Sequence, residues 1–161
     1  MSATKIMWLH VFKGDHHDPD DLALRYGHLG FSFVDVDPLG GHGTIWGFGP
    51  APPPFPFSLK GHEHLMWKGR YPGAVTADTA TFRRALHAGL EVLKIPVRVD
   101  AAVYEEHACK TEVDWNPTGY RYGLPTRGHE NCVTFPQKAL GVDLGGCASI
   151  QGVFDAGLCS R

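Results

Sequence analysis

Apolar and polar positions alternate between residues 26 and 36 in the manner of a strand. Leu29, Phe31 and Phe33 share one face, and His28, Gly30 and Ser32 share the other. The second face is small and polar around His28, which leaves room for another element or a substrate to approach. Ahead of it, residues 5–12 (KIMWLHVF) read as a first strand. Residues 14–21, with His16, His17 and four aspartates, read as a surface loop. The turn Asp37-Pro38-Leu39-Gly40-Gly41 leads to a third strand at 44–48, so the second and third strands form a hairpin with a long turn.

The period changes after residue 78. Phe82, Ala85, Leu86, Gly89, Leu90 and Leu93 fall on one face of a helix over 79–93, with Asp78 as its cap and Lys94 near its end. Residues 58–76 are weakly patterned and hold at most one more strand. The run 50–56 (PAPPPFP) is extended and stiff. It reads as a connector or a wall beside a cleft, or as a ligand for a proline-binding module. Residues 95–104 read as a strand, with Pro96 at its edge or start. Residues 112–130 read as a loop rich in aromatics and glycine. Asn131 to Leu140 reads as a short helix closed by Gly141. Pro136 deletes a backbone hydrogen bond in its second turn, so the start is irregular or lies a residue or two later. Residues 148–154 read as a last strand. No internal repeat or linker divides the chain, so residues 1–161 form one α+β domain.

Composition narrows the function. A formal net charge of −2 gives no electrostatic case for nucleic acid or an anionic membrane. No apolar run approaches the roughly 20 residues of a membrane span. The first eight residues lack a signal peptide's apolar region and cleavage site, so the expected location is the cytoplasm, unless a signal-independent system exports the protein. The four cysteines stand at 109, 132, 147 and 159. Without a secretion signal they are expected to be reduced; Cys147 and Cys159 are the pair that suits a disulfide if one forms.

The chemistry centres on Gly128-His129-Glu130-Asn131-Cys132-Val133-Thr134-Phe135. A thiol at the start of a helix meets N–H groups and a dipole that favour thiolate. With His28 on a strand, it forms the two halves of a thiol-hydrolase dyad: Cys132 the nucleophile, His28 the base.

The histidine precedes the cysteine, the reverse of the papain order. Gly27-His28-Leu29-Gly30-Phe31-Ser32, Gly43-Thr44-Ile45-Trp46-Gly47-Phe48-Gly49-Pro50, Asn131-Cys132-Val133-Thr134-Phe135 and Leu140-Gly141-Val142 resemble the permuted branch of the NlpC-type superfamily. That branch holds lecithin retinol acyltransferase-like proteins and bacterial thiol peptidases, and the resemblance spans about residues 26–142. It implies a circularly permuted papain-like core, a small antiparallel sheet packed against helices. It also implies attack by Cys132 on a carbonyl, proton transfer through His28, and an oxyanion held in part by the Cys132 N–H. Such enzymes act without a cofactor or metal. Known members cleave peptide amides, often in cell walls, or transfer acyl groups on lipids. The implied substrate is a peptide or peptidoglycan stem peptide, cleaved by an endopeptidase or amidase. Lack of a signal suggests an exported antibacterial toxin effector with a cognate immunity protein. The family's third member, a polar residue on the next strand, falls near Trp46 here; His42, Thr44 and Asp35 are the alternatives.

Other readings compete. Cys132 is also a small buried apolar residue, and His28 also a core histidine bonded to a carbonyl. His129 and Glu130 tune the thiol or sit on the loop surface. Tyr120 and Tyr122 line a cleft or pack. His10, His87 and His107 read as ordinary. His62-Glu63-His64 places two imidazoles on one strand face, and His16-His17-Asp18 adds ligands, which is compatible with a zinc hydrolase. A lipid acyltransferase or thioesterase shares the dyad and needs an apolar groove, for which Phe55-Pro56-Phe57 is the source. A non-catalytic binding module needs none of this.

Overall fold

The computed structural model describes residues 3–15, 22–51 and 71–156. Expectations on His16, His17, Asp18, His62, His64, Phe55, Phe57, Cys159 and most of the proline run lie outside them.

The architecture is α+β, with one six-stranded antiparallel sheet and six α-helices among the described residues. The strands are β1 (Thr4–Lys13), β2 (Gly27–Ser32), β3 (Trp46–Pro50), β4 (Tyr71–Ala77), β5 (Leu93–Asp100) and β6 (Arg121–Tyr122), in the order β5-β1-β2-β3-β4-β6. The helices are α1 (Leu22–Tyr26), α2 (Thr79–His87), α3 (Ala101–His107), α4 (Glu112–Trp115), α5 (Thr134–Leu140) and α6 (Ile150–Asp155).

The alternation along β1 and β2 sorts two cores. Met7, Leu9, Val11, Leu29, Phe31 and Phe33 join Phe48, Val75, Trp115, Phe135 and Leu140 in the larger one. On the other face Phe12 packs with Leu24, Val36, Ile45, Phe82 and Ala85. The strands in the middle of the sheet are thus covered on both sides, and β1 carries bulky residues throughout. The hairpin expected between the second and third strands is present, with Phe31 opposite Trp46.

Four expectations are corrected. The helix after Asp78 stops at His87 rather than 93. Gly89 takes a left-handed backbone (φ 81°), and Leu90 N–H closes on Ala85 O at 3.0 Å, a Schellman ending. The fifth strand ends at Asp100, not 104. The Asp100 carboxylate accepts the Ala102 N–H at 2.8 Å and starts α3 on two alanines. The region 112–130 is not all loop: Thr111 and Asp114 form a capping box for α4, and β6 follows. Residues 148–154 are not a strand, because the Ser149 hydroxyl takes the Gly152 N–H and opens α6.

Candidate active site

His28 comes from the start of β2. Its imidazole Nε2 lies 2.7 Å from the Asp78 Oδ2, and both side chains are mostly buried, 14% and 17% exposed. Asp78 stands at the start of α2. Its backbone N–H donates to Ile45 O at 2.7 Å, and the Ile45 N–H donates to the Thr79 hydroxyl at 3.0 Å. The base of the hairpin therefore fixes where Asp78 sits. The expected cap is a cap in backbone only: the Asp78 carbonyl accepts from Thr81, while its carboxylate makes no capping bond. Instead Oδ1 accepts the Thr76 hydroxyl at 2.6 Å and Oδ2 faces His28.

Gly47 makes this possible. A Cβ there would lie 1.9 Å from Asp78 Oδ2 and 2.5 Å from His28 Nε2. Gly30, its partner on β2, is also walled in, by Ile45, Phe82 and the Trp46 carbonyl. The small face seen around His28 in the sequence is filled by Phe82, whose ring lies 5.6 Å from the His28 ring.

Cys132 arrives from the other end of the chain. The Asn131 Oδ1 accepts the Val133 and Thr134 N–H groups, both at 2.9 Å, and the Thr134 hydroxyl accepts the Asn131 N–H in return. Phe135 N–H then closes on Asn131 O at 3.0 Å. Regular helix begins at Thr134, three residues past Asn131, and Pro136 falls in its first turn, where no backbone hydrogen bond is lost. Cys132 still occupies the entry turn, half-buried and free of disulfide. Phe135 seats the helix by stacking on Phe48, with centroids 4.5 Å apart and planes at 1°.

The structure brings Cys132 beside His28, close enough for its sulfur to act on the ionisation of the imidazole. Burial pulls the His28 pKa down, but the bonds to Asp78 and Cys132 and their negative charges outweigh it and push it up to about 10. The shift favours the charged imidazolium beside the Asp78 carboxylate.

The three residues left open as orienters do not reach His28. Asp35 is exposed and pairs with Lys94. His42 is exposed on the turn. Thr44 lines a groove of about 230 Å³ with Phe33, Trp46, Cys109 and Lys110. Asp78 holds the place instead. Its sequence signal was present but ambiguous, since an aspartate before a helix is the ordinary N-cap.

The flanking residues divide. Glu130 is buried, contrary to a place on the surface; its N–H donates to Arg121 O and its carbonyl accepts from Gly123. His129 is half-exposed. Tyr120 packs edge-on against Phe135 at 5.5 Å. Tyr122 is buried, and its phenol pKa is raised by burial and by the nearby Cys132. His87 is exposed, and His107 stacks on Trp115 at 5.0 Å. His10 is fully buried, its Nε2 2.9 Å from the Ser32 hydroxyl. Cys109, Cys132 and Cys147 are free thiols, so Cys147 does not carry the disulfide considered for it. Among the described residues no group of three histidine, cysteine or acidic side chains is placed to hold a metal, and no helix is long and apolar enough to cross a membrane. Comparison of the chain with family models, with curated proteins and with solved structures gives no match.

Proposed function

We propose that the protein is a cysteine hydrolase of the thiol-protease type that cleaves an amide bond through Cys132, His28 and Asp78. One observation carries the reading: the His28 imidazole is 2.7 Å from the Asp78 carboxylate and has Cys132 beside it. The Cys132 proton passes to His28, the resulting thiolate attacks the carbonyl carbon, and the oxyanion is met in part by the Cys132 N–H. The His28 imidazolium then protonates the leaving amine. The resulting thioester is cleared by water, which gives its proton to the neutral imidazole. Asp78 orients the ring and favours its charged form.

The permuted papain-like arrangement of the NlpC-type superfamily is the framework we infer for this order, with histidine on a sheet strand and cysteine at a later helix entry. The proposed substrate is a peptidoglycan stem peptide, cut by an endopeptidase or amidase activity. Action in the periplasm, and control by an immunity protein in the producing cell, follow from that substrate and belong to the same proposal.

The test is hydrolysis of purified peptidoglycan by the wild type, Cys132→Ala and His28→Ala, with iodoacetamide treatment beside them. The reading expects release of stem peptides by the wild type alone and inactivation by the alkylating agent. Full activity of either variant removes it. Cleavage or transfer of acyl groups on lipid vesicles, with muropeptides untouched, would turn the same residues into an acyltransferase or thioesterase.

A further inference from the structure

Asp78 is held in a competition. Aspartate is among the strongest N-cap residues, and Asp78 stands where its carboxylate can turn back onto the first N–H groups of α2. It does not turn. The Thr76 hydroxyl, the only donor in that pair, binds Oδ1 at 2.6 Å, and Oδ2 is left 2.7 Å from His28 Nε2. Thr76 is the penultimate residue of β4, and a β-branched side chain there has few χ1 choices. Its Cα partner across the ladder is Gly47, the residue whose missing side chain makes room for the His28–Asp78 bond.

We propose that Thr76 is a positioning residue of the site: by holding one carboxylate oxygen of Asp78 it keeps the other on His28 and keeps the carboxylate out of the helix cap. This rests on the reading of Cys132, His28 and Asp78 as one catalytic unit. Thr76 and Gly47 act as a matched pair across β3 and β4. The glycine gives space, and the threonine spends that space on one carboxylate rotamer. Removal of the hydroxyl frees the carboxylate for the cap, so the helix keeps its stability while His28 loses its anchor.

The experiment reads the thiol directly and needs no known substrate. The rate of Cys132 carboxamidomethylation by iodoacetamide is followed against pH by peptide mapping, which separates it from Cys109, Cys147 and Cys159. Wild type, Thr76→Val, Thr76→Ser, His28→Ala and Asp78→Ala are compared, each with its thermal midpoint. Thr76→Val is expected to lose about tenfold to a hundredfold of the rate on the acid side of the profile, with little change in midpoint, while Thr76→Ser stays within about twofold of wild type. Thr76→Ala gives the same reading should the valine variant not fold. If His28→Ala and Asp78→Ala move the profile and neither threonine variant does, Thr76 has no positioning role and the catalytic unit stands. If His28→Ala leaves the profile unmoved, the catalytic unit itself fails. A lowered midpoint with an unmoved profile makes Thr76 merely structural and overturns the proposal.

Discussion

Asp78 begins a helix yet gives its carboxylate to His28, 2.7 Å away on a different element. The helix forgoes a side-chain cap, and the imidazole gains a partner on Nε2. Asp78→Asn keeps the shape and removes the charge. His28, held at about 10 in part by that charge, should titrate lower in Asp78→Asn by histidine NMR. The sign for stability follows. The His28 contribution is full below its ordinary 6.5 and is lost as pH rises through about 10, so His28→Ala should flatten the fall in urea stability over that window.

Gly47→Ala sets a small propensity gain against a collision. The new Cβ would meet Asp78 Oδ2 at 1.9 Å and His28 Nε2 at 2.5 Å, so the collision wins. The expected result is loss of hydrolysis by about a hundredfold, the scale for misplaced catalytic groups. Gly30→Ala is the control. Its Cβ meets Ile45, Phe82 and the Trp46 carbonyl rather than the site, so it should lower the melting point and leave the pH profile of Cys132 alkylation where it is.

His10 sets an acid limit. Burial, then the charge of Lys94, pulls its pKa down to about 4, against a weaker upward pull from Asp35. The unfolded chain binds that proton first, so His10 contributes stability above 6.5 that is lost as pH falls toward about 4. His10→Gln, which keeps a polar side chain for Ser32, should show a shallower acid limb in urea unfolding.

Two interactions place the cysteine, and their sizes differ. Asn131→Ala removes the cap on Val133 and Thr134 and the Asn131 bond to Ala148 O, which costs about 1–2 kcal/mol. Phe135→Ala empties a stacked core position and costs about 3–5 kcal/mol. Chemical denaturation ranks them, and Phe135→Ala should come out the more damaging.

What could be read from the chain beforehand follows from these forces. The alternation of Leu29 and Phe31 against His28, Gly30 and Ser32 is a local pattern imposed by one strand, and it appears, although β2 ends at Ser32 rather than 36 and leaves Phe33 beyond it. Cys132 at a helix entry was legible because Asn131 and Gly141 are local signals. Asp78 was not, because its two possible duties look identical until Thr76 and Gly47 are brought beside it by strand pairing. Leu93 fits a helical face by spacing, yet the left-handed turn at Gly89 ends the helix first and passes it to β5. The last segment misled for a similar reason: a serine cap outweighs β-branched residues in so short a stretch.

The order of the parts along the polypeptide sets a timetable. A ribosome delivers β2, then the turn carrying Asp78, and only after further elements the short helix with the sulfur. A growing polypeptide that stops before Cys132 therefore holds the His28 and Asp78 pair without the thiol beside it.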